Sequence, residues 1–280
     1  MKIITLNTHS LIEENYETKL IQFVEMVKTE QPDVIALQEV NQSLACPAAD
    51  SPESVGYISS KGNDKLVRQG NHVLRLATLL KEAGTDYWWT WIPLKIGYGI
   101  YEEGLAIMSR QPIEDTHQFY ISKIRDYENW KSRKALGIRV NGIWYYTIHM
   151  GWWDDEEEPF DAQWDLVMEN LSDDKLTGTC FIMGDFNSPS AIRGEGYDYV
   201  KQSGWYDTYI LADNKDEGIT VGHVIDGWRE RMDTQDAGMR IDYIWCNHPL
   251  HILESEIILN GMNYPIVSDH YGVQIMINKI

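Results

Sequence analysis

The sequence predicts an α/β fold of the α+β kind, in which two mixed β-sheets pack face to face under flanking helices. Three observations predict it. Many short apolar runs of strand type are separated by only a few amphipathic helical patterns. The chain opens on a β–α–β unit, whereas Asn141-Gly142 later joins two strands as a tight antiparallel hairpin, since both positions tolerate the positive φ of a type I′ turn. The alternative, a doubly wound parallel sheet, calls for a Gly-rich phosphate loop after the first strand. Gly97-Tyr98-Gly99 lacks both the third glycine and the helix that would make it one.

In chain order, Ile3 to Thr8 reads as a short buried strand. Lys19 to Glu30 carries Leu20, Phe23, Val24 and Val27 at helical spacing, and Pro32 closes that helix. Val34 to Val40 is the second strand, so Asn7 and Glu39 stand at neighbouring strand ends. Residues 41 to 70 are rich in Pro, Ser, Gly and charge without periodicity, and read as a long surface insertion near those ends. Asn71 caps a helix with Val73, Leu76, Ala77 and Leu80 on one face, ended by Gly84. Strands follow at Tyr87 to Ile92, Leu105 to Ser109, Ala135 to Val140 and Ile143 to His149. A helix from Phe160 to Leu171 precedes strands at Cys180 to Gly184, Ile241 to Cys246, Ile252 to Leu259 and Val273 to Ile277. With no repeat or low-complexity tract, a single domain over residues 1–280 is expected.

The balance of 24 Lys and Arg against 43 Asp and Glu gives a formal charge of −19. Such a surface repels polyanions unless a local basic patch overrides it, so nucleic acid is a disfavoured partner. Cys46, Cys180 and Cys246 are odd in number, and two lie in apolar strand-like runs; they read as buried free thiols of a reducing compartment. The first residues enter a strand pattern with no signal-type segment, and no apolar run approaches the length of a membrane span. A cytoplasmic location without a membrane partner is expected. The sequence does not speak to oligomeric state.

Hard oxygen donors collect at the ends of apolar strands: Asn7, Glu39, Asp185, Asn187 and Asp269. His149 and His270 end or follow strands as well. Singly, an Asp-x-Asn after a strand is an ordinary turn and a strand-end histidine is a satisfied core imidazole. Collected, they describe a hydrolytic Mg²⁺ site without a cysteine or serine nucleophile.

Thr5-Leu6-Asn7, Leu37-Gln38-Glu39, Thr147-Ile148-His149, Gly184-Asp185-Phe186-Asn187, Arg240-Ile241-Asp242-Tyr243-Ile244 and Ser268-Asp269-His270 resemble, in order and end to end, the motif series of the endonuclease/exonuclease/phosphatase superfamily. The resemblance implies a DNase I-like four-layer sandwich and Mg²⁺-dependent hydrolysis of a phosphate ester, with Mn²⁺ able to substitute. By the same resemblance Glu39 is the principal Mg²⁺ ligand, and Asn7 and Asp269 help to hold the ion or its waters. His270 resembles the family's general base and Asp242 the carboxylate on its other ring nitrogen. Asp185 and Asn187 are expected to orient the attacking water and a non-bridging phosphate oxygen. His149 resembles the second histidine, which contacts the phosphoryl group. Glu103 resembles its carboxylate partner, with Glu102 as the alternative.

Arg133 and Lys134, just before a strand, are candidate phosphate binders, the first as a bidentate fork and the second as a point charge. Of the 11 tryptophans, Trp152 and Trp153 directly follow the His149 segment and precede an acidic run, Asp154 to Glu158. That neighbourhood reads as a pocket for a polyhydroxyl group, and it resembles the bacterial sugar-phosphate phosphatase branch, which includes maltose 6′-phosphate phosphatases. A small phosphorylated sugar is therefore the expected substrate. Three alternatives stand beside it: a nuclease, which the charge disfavours; a sphingomyelinase-like phosphodiesterase, for which Trp88 to Trp91 would supply an apolar tip; and a binding module that has lost catalysis.

Overall fold

The computed structural model describes residues 1–171, 173–223, 225, 227–228 and 238–278. Its strands form two sheets. The first has seven strands in the order β10 (Asn214–Lys215), β12 (Ile252–Ile258), β13 (Gly272–Ile277), β1 (Lys2–Asn7), β2 (Val34–Ser43), β4 (Tyr101–Ser109) and β3 (Trp88–Gly97). The second has six: β5 (Asp115–Tyr120), β6 (Lys134–Val140), β7 (Ile143–His149), β8 (Cys180–Asp185), β11 (Asp242–Cys246) and β9 (Tyr206–Asp207). Both are mixed, since β1 runs parallel to β2 and antiparallel to β13, while β7 runs parallel to β8 and antiparallel to β6.

Three apolar clusters stack these sheets into four layers. Leu20, Phe23 and Val27 of α1 (Tyr16–Glu30) and Val73, Leu76 and Leu80 of α2 (His72–Glu82) pack on the outer face of the first sheet. Ile3, Ala36 and Ile275 of the first sheet meet Leu136, Phe181 and Ile244 of the second. Phe160, Trp164 and Val167 of α3 (Phe160–Asn170) cover the outer face of the second. The shorter helices α4 (Asp173–Leu176), α5 (Gly196–Gln202) and α6 (Thr208–Leu211) complete the α-helices among the described residues, beside two short 3-10 turns at Ser10–Ile12 and Pro52–Val55. Because β2 and β8 are covered on both faces, they read as continuous apolar runs rather than alternating ones. Gln38 forms a buried polar clip between the sheets, its Nε2 donating to Thr5 Oγ1 at 3.0 Å and to Thr147 Oγ1 at 2.8 Å. No described helix is long and apolar enough to cross a membrane.

The expected elements are present, with differences that have local causes. Asn71 caps α2 through Oδ1, which accepts from the amides of Val73 and Leu74. Asn141 and Gly142 both have positive φ, 50° and 77°, as the hairpin requires. The strands around residues 88–109 run longer than their apolar stretches, since β3 continues past Pro93 through an irregularity in its pairing with β4. Strand β5 and helix α5 carry too little periodicity to be read from the sequence. The segment 41–70 does not line the catalytic cleft described below; Tyr57 and Val67 plug into the outer core, and Tyr57 packs on Trp89 at 4.8 Å. Trp89 and Trp91 are buried in mid-strand, so Trp88 to Trp91 do not form an apolar tip.

Candidate active site

The registers of the two sheets build the site. In the second sheet His149 pairs across to Asp185 and Asp185 to Asp242, so three polar side chains stand in one row over β7, β8 and β11. In the first sheet Asn7 pairs with Gln38, which places Glu39 one residue beyond it. The β2–β4 register breaks between Leu37 and Val40, and Glu39 adopts a left-handed φ of 51° there. A bulge of this kind re-aims a side chain at a cost in backbone strain, and here it turns Glu39 into the cleft. Gly184 makes the row possible. Its φ is 139°, and a Cβ at that position would lie 2.0 Å from the Ile148 carbonyl oxygen.

The cleft between the sheet ends holds about 300 Å³ and is lined by His9, Glu39, Lys95, Glu103, Arg133, His149, Asp185, Asn187, Asp269 and His270, with Tyr98, Trp130, Trp152, Ile225 and Gly227 around its wall. Asp242 lies behind it. His270 Nδ1 is 2.9 Å from Asp242 Oδ2, and its Nε2 faces Asp185 Oδ2 at 3.7 Å. Burial alone would lower the His270 pKa; Asp242 and then Asp185 outweigh it and hold it well above the usual range. Burial pushes the Asp185 carboxyl up, opposed by His270 and reinforced by Asp242. His149 is held neutral, first by burial and then by Arg133 and Lys95.

Asn7 Nδ2 donates to Glu39 Oε1 at 3.0 Å and to Asp185 Oδ2 at 3.1 Å, while its Oδ1 accepts from the His9 amide at 3.2 Å. The amide nitrogen, rather than the oxygen expected of a ligand, therefore faces Glu39. Burial raises the Glu39 carboxyl, and the charges of Glu103 and Asp269 raise it further. A crowd of carboxylates desolvated together is relieved by a cation, and all-oxygen donors suit Mg²⁺ or Mn²⁺, so these residues fit a divalent ion. Two groups of ligand type among the described residues have donor atoms within 4.8 Å of one another: His9, Glu13 and Asp269, and Asp185, Asp242 and His270.

Several expectations are corrected. Glu103 does not partner His149. It is the cross-strand neighbour of Lys95 and lies 3.1 Å from its Nζ. Glu102, the alternative, turns to Arg68, Gln42 and Tyr127. His149 instead meets Asn187 Nδ2 at 3.2 Å and Asp185 Oδ2 at 3.5 Å. Lys134 sits over the Tyr120 ring and bonds the Pro93 carbonyl, away from the cleft lining. Trp153 packs on Phe160 and Tyr199, and Trp152 alone of the pair lines the cleft. Arg133 does line it, buried, with no hydrogen-bond partner for Nη1 among the described residues.

Sequence reasoning missed His9, Lys95, Tyr98, Ile225, Gly227 and Trp228. Only registers and loop paths bring them in. Trp130 joins them as the neighbour of Trp152, its ring centroid 5.8 Å away at a 58° tilt.

Comparisons with known proteins find the same fold. An endonuclease/exonuclease/phosphatase family protein from Leptotrichia buccalis C-1013-b is 31% identical over 100% of both chains, with a TM-score of 0.85. A mannosyl-6-phosphatase from Bacteroides thetaiotaomicron VPI-5482 shares the fold at 15% identity and a TM-score of 0.64, over 100% of both chains. So does a 3′ phosphatase from Neisseria bound to a product DNA hairpin, at 17% identity and a TM-score of 0.64, again over 100% of both. No curated protein matches the sequence. The model of the Endonuclease/Exonuclease/phosphatase family matches residues 4–270, so the chain belongs to that family of phosphoester hydrolases, and its two-sheet sandwich is the DNase I-like fold.

Proposed function

We propose that the protein is a Mg²⁺-dependent phosphatase that hydrolyses a phosphate monoester of a small sugar, maltose 6′-phosphate or a similar disaccharide phosphate, in the cytoplasm. One observation carries the reading: a buried arginine, with no hydrogen-bond partner for Nη1 among the described residues, stands in the same small cleft as Glu39, Glu103 and Asp269. Cation-seeking carboxylates beside an anion-seeking guanidinium describe a metal-bound phosphoryl group.

Glu39 and Asp269 would hold the ion, with Asn7 fixing the Glu39 carboxylate. When bound, Mg²⁺ supplies charge neutralisation and polarises the phosphoryl oxygens. Arg133 offers a fork to those oxygens, and His149 a neutral N–H. Asp185 orients the water, and His270 Nε2 takes its proton. Asp242 holds the ring through Nδ1 and stabilises the imidazolium that forms. Trp130 and Trp152 offer aromatic faces to the C–H faces of a sugar. The cytoplasmic part of the reading is supported by the free thiols Cys46, Cys180 and Cys246.

The test is phosphate release from a panel of mono- and disaccharide phosphates, run beside plasmid nicking and choline-phospholipid hydrolysis, with and without EDTA. A disaccharide phosphate should be the best substrate, and chelation should abolish its turnover until Mg²⁺ or Mn²⁺ is restored. Plasmid cleavage that outpaces every sugar phosphate would overturn the substrate class. Full activity in excess EDTA after dialysis would remove the metal.

A further inference from the structure

We infer that Trp228 is a positioning residue, which fixes the Asn187 amide and through it the tautomer of His149. The inference rests on the role given above to His149, but its geometry stands apart from that role. Trp228 is buried in a small apolar cluster with Val221, Ile225, Met239 and Ile241. Its only polar atom, Nε1, leaves this cluster toward the cleft and donates to Asn187 Oδ1 at 3.0 Å.

An indole nitrogen can only donate, so the amide atom facing it is the oxygen. The other amide atom, Nδ2, meets the Met150 carbonyl at 2.9 Å, and a carbonyl can only accept. These two contacts assign the same amide orientation independently. The second hydrogen on Nδ2 then points at His149 Nε2, 3.2 Å away, which must present its lone pair. The opposite tautomer would set two N–H groups against each other. Asp185 Oδ2, at 3.5 Å, is the more distant neighbour and already accepts from Asn7.

The proton of neutral His149 therefore sits on Nδ1. That nitrogen is buried and has no hydrogen-bond partner among the described residues, the Glu39 carboxylate standing off at 3.9 Å, in a ring that lines the cleft. A buried donor without a partner is costly in the free protein and is used once an acceptor such as a phosphoryl oxygen arrives. Trp228 also belongs to the segment that shapes the cleft wall. The Gly227 backbone packs so closely on the Trp152 ring that a Cβ there would lie 2.4 Å from Cζ2. One short segment thus supports the aromatic wall and sets the hydrogen-bond polarity of the catalytic row.

The test is long-range ¹H–¹⁵N correlation of the histidine ring nitrogens in the wild-type protein and in Trp228→Phe and Asn187→Asp, with His149 assigned by loss of its signals in His149→Gln. The wild type should show the Nδ1–H form. Trp228→Phe keeps an aromatic ring and loses the donor, and should give a mixture of tautomers. Asn187→Asp still accepts from Trp228 but offers His149 no hydrogen, and should move the proton to Nε2. On p-nitrophenyl phosphate, Trp228→Phe should lower kcat by about 10-fold with KM little changed, as loss of a group that orients another does.

A wild-type His149 in the Nε2–H or doubly protonated form overturns the inference, as does a tautomer unmoved by Trp228→Phe. If the tautomer shifts as expected while both Trp228→Phe and His149→Gln release phosphate at the wild-type rate, the relay stands and the catalytic role of His149 fails.

Discussion

Asp242 and Asp185 pair in register across neighbouring strands, yet their surroundings differ. Asp242 has one ring nitrogen to hold, whereas Asp185 faces His149, His270 and Asn7 together. The carboxylates that raise His270 stabilise its charged form, the imidazolium that the proton transfer proposed above would leave. His270→Ala should therefore lower kcat by about 10²-fold or more, and Asp242→Asn should do so more mildly, with the circular dichroism spectrum unchanged. Wild-type kcat in His270→Ala would remove that residue from the chemistry. At this scale the sequence was most legible for Glu39, Asp185, Asn187, Asp242, Asp269 and His270, because each stands in or at the edge of a strand-end motif. It was least legible for Glu103 and Lys134. Their neighbours, Lys95 and Tyr120, come from adjacent strands, and the irregularity near Pro93 helps set which residue faces which.

Elements deliver these residues, so backbone changes far from the charges should matter as much. Gly184→Ala places a Cβ against the Ile148 carbonyl and demands a φ that other residues avoid; it should cost roughly 3 kcal/mol or more in urea unfolding, with loss of activity from the displaced Asp185. A second prediction concerns the first turn of α2. Burial, with Arg75 adding, holds the His72 pKa down to about 3, against an ordinary value of 6.5. With the folded value below the unfolded one, protons bind preferentially to the unfolded chain as pH falls below about 6.5, and stability is lost from there toward about 3. Between pH 7 and pH 5 this single group should remove about 2 kcal/mol, and His72→Asn should flatten that part of the urea-derived pH profile. An unchanged slope would mean that other groups set the acid limit. The helices and hairpin were legible because their caps and turns are local: Asn71 before α2, and Asn141-Gly142 between β6 and β7. Strand β5, helix α5 and the course of 41–70 were not, since what orders them is the layer they land on.

The whole molecule carries −19 charges, yet its cleft gathers Arg133 and Lys95, both buried, beside the carboxylates. Such a body raises the cost of approach for a polyanion while accepting one locally neutralised phosphate. Binding to the rest of the substrate then falls to the aromatic wall. Trp130→Ala and Trp152→Ala should each reduce kcat/KM on a disaccharide phosphate several-fold more than on an aryl phosphate, since remote binding energy is used to orient the ester. Equal losses on both substrates would make these residues scaffold. By itself the sequence determined the two-sheet architecture, the strand-end acids and histidines and the family, because period-2 and period-3.6 patterns, caps and contiguous motifs are local properties of a chain. Only the tertiary structure decided which tryptophan faces the cleft, that Glu103 pairs with Lys95, that the Asn7 nitrogen rather than its oxygen faces Glu39, and that Trp228 reaches Asn187. Those facts depend on register, bulges and loop paths, which bring partners from different strands and loops to 3.0 or 3.1 Å through packing that no local pattern encodes.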